Sequence, residues 1–340
     1  MSLSSFIIRR ILAVIPVLFG VTLCVFLLSH AIPGDPASMM AGEKASEETI
    51  ERIRIQYGLD RPLYEQYFKY MGDLLRGDLG MSLRNQRPVL DDLRDHVPAT
   101  LELALAAMLL CLVVGIPLGV LAAVKRDRLA DHLTRVFSVI GVSTPVFWLG
   151  LMLLLIFYRD LGILPGSGRL DIYTIEPPSV TGMYTLDALI SGDMEAFRDA
   201  LAHLILPAFC LGYIYLAIIT RIVRSSMLHS LEQDYVTTAR ANGLSEARVI
   251  GLHALRNSLI PTITIAGLSM GELMGGAILT ETIFDWPGMG KYVVDSVNAL
   301  DFPAIMGFTL VVALAYILIN LCVDVLYAVI NPQIRYRSGS

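Results

Sequence analysis

Leu101 to Val124 reads LELALAAMLLCLVVGIPLGVLAAV, 24 residues whose one charge, Glu102, sits at the start. A helix needs about 20 mainly apolar residues to cross the hydrocarbon core of a bilayer, and this stretch supplies them. Working outward, five more runs share that length and poverty of charge: roughly Ile11 to Ile32, Val136 to Tyr158, Leu204 to Val223, Leu259 to Thr280 and Ala304 to Ile330. The 340 residues are 55% hydrophobic and only 17% charged, where a soluble domain is about 25% charged. The chain therefore reads as an all-α integral membrane protein with six transmembrane helices. Arg9-Arg10 before the first run and Ser29-His30-Ala31 after it have the form of a secretory leader. That run is longer than a leader's apolar core, so it is kept as an anchor.

Lysine and arginine in the short connections set the orientation. Arg9 and Arg10 precede span 1, and Lys125, Arg126, Arg128 and Arg135 follow span 2. Arg221, Arg224, Arg240, Arg248 and Arg256 mark the connection from span 4 to span 5, and Arg335 and Arg337 the tail. The 281–303 loop holds only Lys291 against Glu281, Asp285, Asp295 and Asp301, and the 159–203 loop has three arginines against seven acids. Both termini and residues 234–261 are expected to face the cytoplasm. The net charge of −5 thus divides into a basic inside and an acidic outside, and no nucleic-acid partner follows from it.

Residues 33–98 carry nine Lys/Arg and twelve Asp/Glu. PGDP at Pro33 to Pro36 is a turn. Ser46 reads as the N-cap of an amphipathic helix with Ile50, Ile53 and Tyr57 on one stripe. Leu63 to Leu75 reads as another, through Tyr64, Tyr67, Phe68 and Met71, and RGDLG at Arg76 to Gly80 is a turn. The expected organisation is a first span with a helical periplasmic cap (1–97), a five-helix core (98–332) and a cytoplasmic tail (333–340).

Catalytic chemistry finds no footing. The nucleotide loop GxxxxGKS/T does not occur, and GMGKY at Gly288 to Tyr292 lacks its spacing and its hydroxyl. Gly166-Ser-Gly168 lacks the third glycine of a dinucleotide fingerprint. The six histidines have no metal-ligand spacing. Cys24, Cys111, Cys210 and Cys322 each fall in a different apolar span, where a thiol behaves as a small apolar group.

Between spans 4 and 5 stands DYVTTARANGLSEARVIGLHALRNSLIP, Asp234 to Pro261. Thr237 to Ala241 favours a short helix stopped by Gly243, and Ser245 to Leu255 favours a second with Ser245 at its N-cap. Asn257 and Pro261 are expected to turn the chain back into span 5. Ala239 and Gly243 leave one face nearly bare for close approach by another protein, with Tyr235, Arg240 and Glu246 as a polar rim. An amphipathic loop lying on lipid headgroups is the other reading.

DYVTTARANGL followed by HALRN resembles the coupling signature of permease subunits in bacterial dipeptide/oligopeptide ABC importers. Against the broader signature of such permeases, Ala239, Gly243 and Leu255 match, while Thr237, Thr238, His253 and Arg256 depart. The same branch is suggested by RRI at Arg9 to Ile11 with IPGDP at Ile32 to Pro36, by GDLG at Gly77 to Gly80 and by PATLELA at Pro98 to Ala104. GIPLGVLAA at Gly115 to Ala123, LTETIFDWPGMG at Leu279 to Gly290 and VDVLYAVINPQIR at Val323 to Arg335 extend it along the chain, which resembles most the B-type partner of dipeptide permeases. The resemblance implies the type I importer permease fold in a bacterial inner membrane, paired with a second, homologous permease subunit. Two cytoplasmic ATPases that bind ATP and magnesium would drive it, and a periplasmic peptide-binding protein would feed it. No cofactor or metal is expected in this chain. Tyr235, Thr238, Ala239, Arg240, Gly243, Leu244, His253 and Arg256 would form the coupling surface. Dipeptides or short oligopeptides are the implied substrates, with nickel complexes, glutathione or D,D-dipeptides as alternatives. A proton-driven secondary transporter, with Glu272 or Asp324 as relay, is the other class. It lacks the inverted repeat of such folds, and an intramembrane hydrolase lacks a nucleophile–base pair.

Ionisable residues at membrane depth point to function. Glu272 lies among Ser269, Gly271, Gly275 and Gly276, and is expected either to line a hydrated path or to bond a neighbouring helix. Asp324, one turn after Asn320, is expected to bond between helices, and Glu102 to cap the start of span 2. Ser143-Thr144-Pro145 marks either a kink or a polar patch on the path. Trp286, Pro287 and Gly288 in FDWPGMG read as an interfacial anchor or as a docking element for the binding protein. The acidic 159–203 loop, with LPGSGR at Leu164 to Arg169, is the second docking candidate.

Overall fold

A computed structural model describes residues 3–31, 37–38 and 46–330, and among these every regular element is a helix, with one isolated bridge pairing Met81 and Pro88. The PGDP turn and the 333–340 tail lie outside the described residues. Five helical stretches are long and apolar enough to cross a membrane, and a sixth crossing is a bent pair.

The chain divides into two compact units, one built on Pro98–Lys291 with the C-terminal helix from Tyr316, the other on Ile8–Val97 with Tyr292–Ala315. In the smaller unit, α1 (Leu3–Ala31) is followed by α2 (Glu47–Tyr57) and α3 (Leu63–Leu75). Ser46 caps α2 by accepting from the Thr49 N–H, and Gly58, at φ 72°, closes it in the left-handed conformation. Tyr67 ties α3 to α1: its hydroxyl lies 3.0 Å from Thr22 Oγ1, and its ring packs edge-on to Phe19 and Phe26. Of the apolar stripe on α3 only Tyr67 is buried, while Tyr64, Phe68 and Leu75 remain exposed. The RGDLG turn forms with Gly77 and Gly80 at positive φ. Val89, Leu93, Tyr292 and Ala304 make this unit's second core.

α4 (Val89–Val124), whose residues from Pro98 on belong to the larger unit, runs into α5 (Leu129–Ser143), then α6 (Val146–Leu153) with a π-helical end at Leu154–Asp160. The expected span from Val136 to Tyr158 is not one rod. α5 and α6 meet at 106°, because Pro145 cannot donate to the ladder and forces Thr144 into an extended conformation (φ −84°, ψ 122°). After the short α7 (Tyr184–Ser191) comes α8 (Met194–Leu231), N-capped by Asp193 and spanning about 57 Å at 1.5 Å per residue. Glycine lets α4 lie directly on α8: a Cβ at Gly119 would stand 2.7 Å from the Thr220 carbonyl oxygen and 2.6 Å from Val223 Cβ. This is the small-residue packing that helices adopt in lipid.

α9 (Asp234–Ala241) follows α8 after two residues. The helical turn Glu246–Arg248, a π-helical stretch Val249–Ala254 and α10 (Leu255–Gly276) then run on as one crossing, Glu246–Gly275. The expected turn at Asn257 and Pro261 is absent, since Pro261 is carried inside α10. Pro261 lacks the N–H that would bond the Asn257 carbonyl, and the helix runs on without that one bond. α11 (Ile278–Ile283), α12 (Met289–Asn298) and α13 (Phe302–Ile330) complete the chain.

Candidate functional site

α9 presents two faces. Val236 and Ala239, one turn apart, are buried against the protein, as are Val249, Ala254 and Ser258 beyond the turn. Tyr235, Thr238, Arg240 and Gly243 face outward. Ala239 and Gly243 therefore do not share one bare face: Ala239 packs inward, and only Gly243 opens onto empty space, with nothing within 4 Å of a Cβ placed there. Gly243 does stop the helix as read, at φ +79°, with its N–H on the Arg240 carbonyl at 2.9 Å and the Leu244 N–H on that of Ala239 at 3.3 Å. Arg240 straddles this turn to Glu246, Nε to Oε1 at 2.8 Å. The pair is exposed and worth about 0–1 kcal/mol, so buried Val236 and Ala239 carry most of the positioning. Ser245 makes no side-chain cap. Leu244 and His253 are half-buried, and Arg256 is exposed. All eight residues expected to form the coupling surface thus lie on or beside one short helix and its exit, joined to the two long helices α8 and α10.

Of the path residues, Ser143 and Thr144 form the corner between α5 and α6, with Thr144 Oγ1 donating to the Ile140 carbonyl at 2.8 Å. Ser269 is buried on α10, and Gly271 packs so closely on Tyr316 that a Cβ would stand 2.6 Å from its ring. Glu272 is exposed on the surface of the chain and interacts with Tyr215 of α8. Asn320 Oδ1 is buried without a partner among the described residues, and the Asp324 side chain lies outside them.

Trp286 and Gly288 are buried, so of the three proposed docking residues only Pro287 presents a surface. Nor is Trp286 an interfacial anchor, because its indole N–H donates to the Ala99 carbonyl at 2.9 Å. Glu281 pins the same loop from within, accepting from Thr100 Oγ1 at 2.6 Å and from the Lys291 N–H at 3.0 Å. Burial raises its carboxyl above the usual range, opposed by those hydrogen bonds and one from the Gly290 N–H.

The sequence reading missed two ion pairs, one buried on both sides and one buried only at its carboxylate. Glu102 is no helix cap, since α4 begins at Val89. It accepts from Arg169 Nη2 at 2.6 Å, and from the Thr185 N–H and hydroxyl at 2.7 and 2.6 Å. Arg169 also donates to the Gly182 carbonyl at 2.8 Å and lies 3.6 Å over the Tyr184 ring. The acidic loop is thereby clamped at both ends, while Ile172, Tyr173 and Ile175 between them stand 84–89% exposed. The second pair joins Arg224 to Asp131. Lone charges at the rims of apolar runs were the available signal, but their partners lie 67 and 93 residues away.

Comparison with known proteins accounts for this architecture. The family described as "Binding-protein-dependent transport system inner membrane component" matches residues 115–336, and its N-terminal counterpart matches residues 3–104. The chain is 53% identical over 331 residues to the probable D,D-dipeptide transport system permease protein DdpB of Escherichia coli (strain K12), covering 97% of each. It is 49% identical to the di/tripeptide transport system permease protein DppB of Pseudomonas aeruginosa (strain UCBPP-PA14), covering 98% of this chain and 99% of that one. Its fold is similar to a chain of the MetNI methionine ABC transporter in inward-facing conformation, with a TM-score of 0.50 at 16% identity, covering 68% of this chain and 93% of that one. Matched along nearly its whole length by family and relatives alike, the chain belongs to the binding-protein-dependent transport system inner membrane components.

Proposed function

We propose that this chain is one transmembrane half of an ATP-driven importer that passes dipeptides and other short peptides inward by alternating access. A second, homologous permease subunit supplies the other half, two ATPases supply the power and hold ATP and magnesium, and a binding protein delivers the peptide. In this reading both termini and α9 face the cytoplasm and the acidic 159–203 loop faces outward, which the lysines and arginines of the short connections support. The carrying observation is α9, a short helix fixed by Val236 and Ala239 and exposed through Tyr235, Thr238 and Arg240, with only two residues between it and α8. An ATPase that grips the exposed face moves α8 and α10 with it, and the differential grip in the two nucleotide states shifts the equilibrium between openings. On the opposite side, exposed Ile172, Tyr173 and Ile175 on a clamped loop offer the binding protein a firm apolar contact, with Pro287 beside it in the chain's other outer loop. The similarity to di- and D,D-dipeptide permeases supports the substrate class.

Reconstitution of the four-component complex in proteoliposomes tests this. Dipeptide uptake should require ATP and the binding protein, and a crosslinker placed by Thr238→Cys should reach an ATPase subunit. Uptake by this chain without any ATPase would instead favour the proton-driven class.

A further inference from the structure

Between α5 and α8 lies a cavity of about 420 Å³ whose walls carry Thr134, Arg135, Ser138 and Ser143 from one helix and Arg221 and Arg224 from the other. Its size falls within the roughly 300–1,000 Å³ of small-ligand sites. Arg224 is committed to Asp131, reaching both carboxylate oxygens at 2.6 and 2.8 Å. Arg135 touches the same carboxylate at 3.7 Å and donates to His132 Nδ1 at 2.8 Å. Arg221 is exposed and makes no ion pair among the described residues. Three guanidiniums against one carboxylate leave the cavity with two positive charges.

The hydroxyl groups complete a polarity. Thr134 Oγ1 donates to the Ala130 carbonyl at 2.8 Å and Ser138 Oγ to that of Thr134 at 2.9 Å. Their protons are used, so their oxygens meet the cavity as acceptors. Cationic donors therefore stand at one end, acceptor oxygens follow on α5 at Thr134 and Ser138, and the Ser143 hydroxyl closes the row about 12 Å from Arg135 at 1.5 Å per residue. We propose that this cavity is a peptide subsite in which Arg221, assisted by Arg135, binds the free C-terminal carboxylate while the α5 hydroxyls accept from the peptide's N–H groups. The shared chemistry is an oxyanion on arginine, which a lipid phosphate also offers. A lipid would cover the apolar wall of Val139, Val142 and Ala217 but leave the Thr134 and Ser138 oxygens without donors, whereas a short peptide brings N–H groups to those oxygens and side chains to that wall. This inference rests on the importer reading and gives that path a requirement for a free carboxylate.

The test uses the complete importer without its binding protein, in nanodiscs of phosphatidylcholine alone or with phosphatidylglycerol. Saturation-transfer NMR reads contact with alanyl-alanine and with its C-terminal amide. The dipeptide signal should exceed that of the amide, and Arg221→Gln should lower it by about tenfold or more, the usual scale for a lost charge-assisted hydrogen bond. Arg221→Lys should restore part of it. Uptake of alanyl-alanine by the same complex in proteoliposomes, with the binding protein added, should fall in parallel in Arg221→Gln. Equal signals for acid and amide, or uptake by Arg221→Gln equal to wild type, would overturn the subsite. A signal abolished by phosphatidylglycerol, with uptake indifferent to Arg221, would assign the cavity to lipid. Absence of any dipeptide uptake by the wild-type complex would instead refute the importer reading, whatever the NMR shows.

Discussion

Replacing Arg169 by Met should free the outer loop without dismantling the transporter. Arg169 and Glu102 are 6% and 4% exposed, and Nη2 meets Oε2 at 2.6 Å. Removing one partner of such a pair leaves an uncompensated buried charge and costs about 3–5 kcal/mol. The Thr185 N–H and hydroxyl still hold Glu102 Oε1, but Oε2 loses its donor and the Gly182 carbonyl loses its own. If the loss is confined to the loop, its opening equilibrium rises by roughly two to four powers of ten, at about 1.4 kcal/mol per factor of ten. Hydrogen exchange of the Thr185 amide, whose N–H is bonded directly to Glu102, reads that change. Glu102→Met with Arg169→Met together should recover most of the protection, because no buried charge remains. Protection at Thr185 that changes less than threefold in Arg169→Met, or a double variant as open as the sum of the singles, would refute the reasoning. Loss of the clamp should also weaken stimulation of the ATPases by the binding protein, if that loop is where it docks.

Gly243→Val should sever uptake from ATP hydrolysis, since a left-handed φ costs a side-chain-bearing residue about 1–2 kcal/mol and nothing crowds the site otherwise; Gly243→Asn should retain more uptake, and equal uptake by both in proteoliposomes would count against the turn. Gly119→Leu should prevent assembly, visible as aggregation in size-exclusion chromatography, because even its Cβ would meet the Thr220 carbonyl oxygen at 2.7 Å. Glu272→Gln should leave assembly intact and change transport rate or peptide preference; unchanged transport of every peptide tried would make Glu272 a packing residue only. Asp187 supplies a pH signature. Burial pushes its carboxyl up, but hydrogen bonds from Thr181, Val180 and Gly182 outweigh that and hold it below the usual range. Its contribution is therefore complete above the unfolded value, about pH 3.9, and fades as pH falls through the lower folded value. Amide protection of 180–182, corrected for intrinsic exchange, should drop there in wild type and show a flatter profile in Asp187→Asn.

Much of the architecture was legible because its signals are local. Leu101 to Val124 declares a membrane crossing, Ser46 and Gly58 bracket α2, and Gly243 ends α9 where the sequence placed its stop. The corner at Pro145 was visible as a break but not as a right angle, because its size depends on what α5 and α6 pack against. Pro261 misled for the opposite reason: its local tendency to end a helix was overridden by the packing of Ala254, Ser258 and Thr262, all buried. The inward turn of Ala239, the burial of Trp286 and the pairing of Glu102 with Arg169 were illegible, since each depends on residues remote in the chain.

The right-angled elbow between α5 and α6 has a consequence for the barrier itself. Where one helix stops and the next begins, carbonyls and N–H groups lose their partners along the rod, and oil can replace none of them. Non-helical backbone at such depth is tolerated only against protein or beside water. The elbow therefore needs protein or water against it, and α8 supplies part of that cover where Cys210 Sγ donates to the Val146 carbonyl at 3.5 Å.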